Sequence, residues 1–511
     1  MPHQELMKKF SEKKAHQLGM GGKKKLEARK AAGKMNARER IEYLFDPGTF
    51  REIGLFTHSA RPEDAPHTPT DGKIIGSGFI QGRLAGTVVN DLTVKGASSA
   101  KVNKRKMEYM RYISCEKGVP LVFLGESSGS RMPDSMGATD MAGGEPMVGQ
   151  YRRLREAPWI SVLLGPCFGS SGFYSAMSDI NVMLKGAAMG IVSPKVTQLA
   201  TGEDTPLEEL AGWEVNFKIT GAVDAVGETE RECIDMAKKY LSYLPSHAGQ
   251  LPPRAEVPEG SGKDMPHILD LVPEKRNRAY DMKKIMKTLV DGGEIFELKA
   301  EFGRPCVTAF ARLDGYSVGV VANNPMYMAG ALDADCCEKI TSFLVLCDSF
   351  HVPIITLVDT PGFMVGKGME QKKIMGKIIN WMNALALVTV PKLTVIIRKI
   401  YGQAYLNMGG RKNSDVFVAW PTAEISFMDP ETAVNVVHNV KREDDPARFE
   451  EFLGRMSKDI EPFGAAGIFG IEDVIEPAKT RDFLIRMLHL TLHRETGGLS
   501  RRLLHNWPTS Y

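Results

Sequence analysis

Residues 119–129 read VPLVFLGESSG, and residues 352–362 read VPIITLVDTPG. Each is a Val-Pro entry, a near-continuous apolar run, an acidic residue and a glycine. That is the pattern of a short strand buried on both faces and closed by a turn. Val352 follows Val119 by 233 positions, and the same interval recurs around the pair. GTVVNDLTV from Gly86 matches GVVANNPMY from Gly319, with Asn90 falling on Asn323. Pro120 falls on Pro353, Glu126 on Asp359 and Gly129 on Gly362. Gly169 of GPCFGSSGFY falls on Gly402 of RKIYGQAY. Three residues are then inserted, after which Asp179 matches Asp415 and Pro194 matches Pro430 at an interval of 236. Strand–turn punctuation yields one such match, not the series. The chain is a duplication, with a period far too long for a solenoid.

Within each copy a β-rich run precedes an amphipathic helical stretch, KVNKRKMEYMRYISCEK in the first and DCCEKITSFLVLCDSF in the second. The buried strand, a glycine loop, a second helix, another strand and a glycine turn into a further helix follow. Strands alternating with helices predict an α/β class with two homologous lobes. Residues 245–266, PSHAGQLPPRAEVPEGSGKDMP, are rich in Pro, Gly and charge and read as a linker. The expected lobes are therefore residues 1–244, with a basic helical extension over about 1–45, and residues 267–511.

The 511 residues exceed one ordinary core, and 43% hydrophobic with 25% charged is a globular composition. A formal charge of +3 implies no acidic partner at the level of the whole chain. The seven cysteines form no CxxC pair and read as reduced core residues. The N-terminus has no apolar signal region, and no run reaches the ~18 apolar residues of a membrane span, so a cytoplasmic protein is expected. The lysine-rich start is helix-prone. It reads as a solvated helix at a subunit edge rather than a nucleic-acid site, since no aromatics interleave its basic part.

The two glycine turns are the candidates for chemistry. Gly169-Ser170 and Gly402-Gln403 each follow a buried strand and precede a helix start, where the first N–H groups lack intrahelical partners. A glycine lets a ligand approach the backbone. Two N–H groups so placed can hold a developing oxyanion, each worth about 10²–10³ in rate. On the repeat alone, two inherited tight connections explain the turns equally well.

Further stretches carry a resemblance. KKKLEARKAAGKMNARERIEYLFDPGTFREI (23–53), NDLTVKGAS (90–98), GPCFGSSGFYSAMSD (165–179), TGEDTPLEEL (201–210), LVDTPGF (357–363) and VIIRKIYGQAY (395–405) are similar to the carboxyltransferase (β) subunit of biotin-dependent acyl-CoA carboxylases. That group includes the propionyl-CoA and methylcrotonyl-CoA carboxylases and related decarboxylases. The resemblance runs from about residue 20 to residue 500. It implies two crotonase-like lobes with β-β-α superhelix character and a homohexamer whose active sites lie between lobes of different subunits. The implied reaction moves a carboxyl group between N1 of biotin and the α-carbon of an acyl-CoA through an enolate, with the freed biotin nitrogen as base. Two anions arise, the enolate and the ureido oxygen, and two turns are present to hold them.

The resemblance also implies a biotin carboxylase and a biotin carboxyl carrier subunit as partners. The chain has no Ala-Met-Lys-Met-like biotinyl site and no GxxxxGK[ST] loop, and no four-cysteine zinc ribbon, so no metal is expected in it. Gly169, Ser170, Gly402 and Gln403 are the expected catalytic positions. Phe168, Gly129, Ser130, Arg131, Tyr401 and Leu406 are the expected substrate-binding ones. The first turn departs from the family's usual Gly-Gly at Ser170 and from a small residue at Phe168; the second has Gln403 where Gly or Ala is usual. Backbone N–H groups survive all three changes. Leu406 stands where acyl-chain choice is often tuned. Arg131 is expected to steady a CoA phosphate or to pair with Glu126 or Asp134. Asp359 is read as a turn former. The other readings are the same half-reaction run as a decarboxylase or transcarboxylase, a biotin-free acyl-CoA decarboxylase or hydrolase, and a non-catalytic scaffold paralogue.

Overall fold

The computed structural model describes residues 3–142, 153–410 and 412–508. The described chain divides into two compact units, one running to Gln250 and including residues 506–508, the other Leu251–His505. Each is built on one sheet. In the first the strands are β1 (Arg51–Ile53), β2 (Lys73–Ile80), β3 (Arg83–Asn90), β4 (Leu121–Ser127), β5 (Trp159–Phe168), β6 (Ile180–Leu184), β7 (Ala188–Gly190) and β8 (Ala225–Gly227). In the second they are β9 (Ile295–Leu298), β10 (Cys306–Leu313), β11 (Tyr316–Asn323), β12 (Ile354–Thr360), β13 (Lys392–Tyr401), β14 (Val416–Ala419), β15 (Glu424–Ser426) and β16 (Asp473–Val474).

The orders are β1-β2-β3-β4-β5-β6-β8 and β9-β10-β11-β12-β13-β14-β16, with β7 pairing β5 and β15 pairing β13. The first two pairings in each order are antiparallel and the rest parallel. β2, β3, β4 and β5 begin 233 positions before β10, β11, β12 and β13, and β7 begins 236 before β15. The duplication read from the sequence is thus present strand for strand.

Matched residues do matched work. Pro120 O accepts from Gly86 N and Pro353 O from Gly319 N, both at 2.8 Å. The prolines carry no N–H, so they sit at strand entries where only a carbonyl is needed. The Asp179 carboxylate accepts from Trp159 N at 2.9 Å, and that of Asp415 from Lys392 N at 2.8 Å. Behind the strands lie the helices Lys101–Lys117 and Ala334–Ser349. Each buries a lysine at the equivalent position. Lys106 Nζ donates to Thr70 O at 2.9 Å, and Lys339 Nζ to Cys306 O at 2.8 Å. The repeat places the counterpart of the helix Ile374–Leu387 in a first-lobe stretch that lies largely outside the described residues.

Trp159, Tyr174 and Phe123 form an edge-on aromatic group in the first core, with centroids 4.3 and 5.1 Å apart. Val395, Ile397, Val418 and Trp420 sit in the second core. All seven cysteines are buried and unpaired as disulfides. No helix of the described residues is long and apolar enough to cross a membrane.

The lysine-rich N-terminal segment divides by residue type. The helix His3–Leu18 is exposed along nearly its whole length. The helix Ala37–Leu44 starts in a capping box between Asn36 and Glu39. Arg29 and Arg40, unlike the lysines around them, turn inward onto Glu126 at the end of β4.

Candidate active site

In both sheets the interior strand next to the middle one, β5 in the first and β13 in the second, ends in the same device. β5 stops at Phe168, Gly169 takes φ +61°, and the helix Ser170–Ala176 begins. β13 stops at Tyr401, Gly402 takes φ +59°, and a short helix Ala404–Asn407 follows. This left-handed conformation favours glycine at both positions. A Cβ on Gly402 would also press to 3.1 Å on Phe427 O.

The N–H groups divide differently from the sequence reading. Gly169 N donates to Ile191 O and Gly402 N to Ser426 O, both at 3.1 Å, because β7 and β15 extend their pairing past the strand ends. The glycine N–H is therefore already used. The next two in each copy, Ser170 and Ser171, then Gln403 and Ala404, have no hydrogen-bond partner among the described residues. The glycine supplies the turn and the room; the residue after it supplies the free donor.

A second loop abuts each turn. Gly129 and Gly362, at φ +105° and +119°, donate to Ser127 Oγ and Thr360 Oγ1, each at 3.2 Å. Their carbonyls accept from Ser99 N (2.8 Å) and Leu332 N (3.0 Å). A Cβ on Gly169 would lie 3.7 Å from Gly129 Cα and 3.8 Å from Ser130 N. The structure thus brings Gly129 and Ser130 to the first turn, and Ser130 N is a further donor without a partner among the described residues.

The other expected positions are placed as follows. Phe168 is buried with Ala188 and Ala211, under Leu207 and Leu210. Tyr401 is buried; its hydroxyl donates to Glu424 and accepts from Arg276 at 2.7 Å, and Arg276 also reaches Asp429 at 2.8 Å. Burial and Glu424 push the Tyr401 phenol up. Leu406 is half-buried in the helix after the second turn, and the exposed Gln403 donates its side-chain amide to Asn407 at 3.0 Å. Arg131 is buried, and its main partner is Asp71 at 2.7 Å, with Ser98 O at 3.2 Å and Asp134 only at 3.9 Å. Burial pushes the Asp71 carboxyl up, against the pull of Arg131. The sequence reading did not name Asp71, which lies sixty positions from its partner.

The acids ending β4 and β12 are ion-pair hubs. Glu126 is held by Arg29 (2.5 Å) and Arg40 (2.8 Å), and Arg40 also binds Glu230 at 2.8 Å. Asp359, fully buried, takes Arg398 at 3.0 Å and Lys399 at 3.3 Å from β13. The sites of Arg398 and Lys399 correspond to Gly165 and Pro166 in the first lobe, so there the cations come from the N-terminal helices instead. Gly165 leaves the space: a Cβ on it would meet Glu126 Oε1 at 2.7 Å. Two arginines prevent Glu126 from moving aside. Gly165→Ala is expected to cost about 1–3 kcal/mol by overpacking, read as a lower urea midpoint.

Among the described residues no cluster of three or more His, Cys, Asp or Glu is arranged to hold a metal. What the site offers is backbone donors at two glycine turns, suited to an oxygen that gains negative charge.

The carboxyl transferase domain family model matches residues 28–503. The propionyl-CoA carboxylase carboxyltransferase subunit of Haloferax mediterranei is 35% identical over 503 residues, 96% of each chain. The methylmalonyl-CoA decarboxylase subunit alpha of Veillonella parvula is 33% identical over 491 residues, 95% of each chain. The solved structure of transcarboxylase 12S, a hexamer with methylmalonyl-CoA and methylmalonic acid bound, superposes with a TM-score of 0.89 at 32% identity, covering 96% of each chain. The fold is that of a two-lobed, crotonase-like carboxyltransferase. The chain belongs to the carboxyltransferase subunit family of biotin-dependent acyl-CoA carboxylases, enzymes that transfer a carboxyl group on acyl-CoA.

Proposed function

We propose that this chain exchanges a carboxyl group between carboxybiotin, presented by a separate carrier subunit, and the α-carbon of a small acyl-CoA of the propionyl/methylmalonyl type. The observation that carries the mechanism is the N–H after each positive-φ glycine, Ser170 in one lobe and Gln403 in the other, which has no partner among the described residues. Removing the α-proton of a thioester, or losing a carboxyl group from its α-carbon, puts negative charge on the thioester oxygen. Release of the carboxyl group from biotin puts charge on the ureido oxygen. Each turn stabilises one of these oxygens in the transition state, and fixed backbone donors do so without reorganisation. Ser130 N–H assists the first turn.

The small acyl class is supported by relatives that match nearly the whole chain. The match to a hexameric structure supports a homohexamer, and membership of the carboxylase family supports biotin carboxylase and carrier subunits as its partners. The match to a decarboxylase subunit favours a second reading, the same half-reaction run towards carbon dioxide release; its direction is set by the coupled partner. The test is a decarboxylation panel of malonyl-, methylmalonyl-, ethylmalonyl-, glutaconyl- and branched or aryl malonyl-type CoA thioesters, each with free biotin. Methylmalonyl-CoA is expected to turn over fastest. Preference for a bulky member would overturn the acyl assignment while leaving the reaction class.

A further inference from the structure

The two lobes differ in what lies behind their turns. Lys73, on β2, is fully buried. Its Nζ donates to Asn90 Oδ1 and to Ala97 O, both at 3.1 Å. No carboxylate binds it among the described residues, since Asp71, the acid close by, is given to Arg131. Asn90 Nδ2 in turn donates to Ser171 Oγ at 3.3 Å, at the start of the helix that follows Gly169. In this chain, from ammonium to amide to hydroxyl, the ammonium and amide N–H groups both point along the relay towards the turn, and linked hydrogen bonds of this kind polarise one another. The equivalent second-lobe residues are Cys306, Asn323 and Ala404. Both ends of the relay are missing there. Asn323 accepts from Asp359 N at 3.1 Å instead, and its own amide nitrogen has no partner among the described residues.

A buried cation without a carboxylate is costly, and an apolar residue of similar volume would be the more stable choice. We propose that Lys73 is a positioning residue for the first turn, acting through Asn90 on Ser171 to fix the free N–H groups of Ser170 and Ser171 and to make this turn the more electropositive of the two. The inference rests on the oxyanion reading of the turns. It separates their roles: the first turn is charge-assisted, and the second works by backbone alone.

The groups facing Lys73 are the Cys167 thiol on β5, Asp71, Arg131 and Lys106. Burial, the largest influence, lowers the Lys73 ammonium to about 7. Its folded pKa is thus below its unfolded value, so the unfolded chain binds more protons between about pH 7 and 10. Stability therefore rises with pH across that window, and the penalty is largest at its acidic end. The charged form that assists the turn is the one lost as pH rises through about 7.

The test uses the full chain with methylmalonyl-CoA and free biotin. Lys73→Met and Ser171→Ala are each expected to lower kcat about 10–100-fold, with KM changed less than about 3-fold. Ser171→Ala copies Ala404 of the second lobe, so it is compatible with the fold. The double variant should lose no more than the worse single one, because both act on one relay. The alkaline limb of kcat/KM near pH 7 should vanish in Lys73→Met, while its apparent Tm stays equal or rises. Losses that multiply, or a kcat and pH limb like those of the parent enzyme, would overturn the proposal. Ser170→Pro distinguishes the two levels. If it abolishes turnover while the relay variants do not, only the positioning role fails; if it too is silent, the oxyanion reading fails.

Discussion

Ser170→Pro and Gln403→Pro will each lower kcat by about 10²–10³ without unfolding the protein. The reason is local. Gln403 has φ −59°, inside the range that proline fixes, and Ser170 is the first residue of its helix, a position proline favours. Gly169, ahead of it, has ψ −131° and so lies outside the right-handed helical region that proline disfavours in its predecessor. Each substitution therefore removes the N–H without a partner among the described residues; Gln403→Pro also removes the side-chain bond to Asn407, for which Gln403→Ala, with its N–H kept, is the control. Gly402→Pro is a poorer probe, because it forces φ from +59° and breaks the bond to Ser426 O. The measurement is kcat beside an unchanged circular dichroism spectrum and oligomer size. Full activity in a folded variant would show that the corresponding turn is only a connection.

The second large effect concerns stability. Asp359→Asn should lower the unfolding free energy of the second lobe by about 3–5 kcal/mol, because it leaves buried cations without their carboxylate. Asp359 is fully buried, contacts Arg398 and Lys399 and also accepts from Lys399 N at 3.2 Å. Burial already lowers the Lys399 ammonium, and Asp359 opposes that shift. Removing the acid lowers it further. A depressed lysine means stability rises with pH as the unfolded chain's extra protons leave, so the deficit of the variant should narrow towards pH 10. Urea midpoints at pH 7 and pH 9.5 test this. A change under about 1 kcal/mol at pH 7 would mean that the pairs contribute only as surface bridges do.

Much of the architecture was legible because glycine and proline mark positions that backbone geometry dictates. Pro120 and Pro353, or Gly169 and Gly402, keep their interval because their conformations leave few alternatives. The turns were found for the same reason, but in each the glycine N–H is already taken, and the N–H groups without a partner among the described residues begin one residue later. The sequence gives no sign that β7 and β15 reach far enough to take the glycine N–H. The charged contacts were less legible. Arg40 meets Glu126 across 86 positions and Glu230 across 190, and no local pattern marks such pairs. Arg29 and Arg40 were hidden in a segment that reads as solvated because lysines outnumber them. Lys73 against Cys306 was visible as a mismatch in the repeat, yet a mismatch acquires meaning only once Asn90 and Ser171 are seen to lie between lysine and turn.

The most direct measurement is the rate of methylmalonyl-CoA decarboxylation by the purified chain, with and without free biotin. Carboxyl transfer through two oxyanion turns requires biotin as the acceptor, so turnover should rise from background and saturate with biotin. Turnover of the same size without biotin would contradict carboxyl transfer and make the chain a simple acyl-CoA decarboxylase.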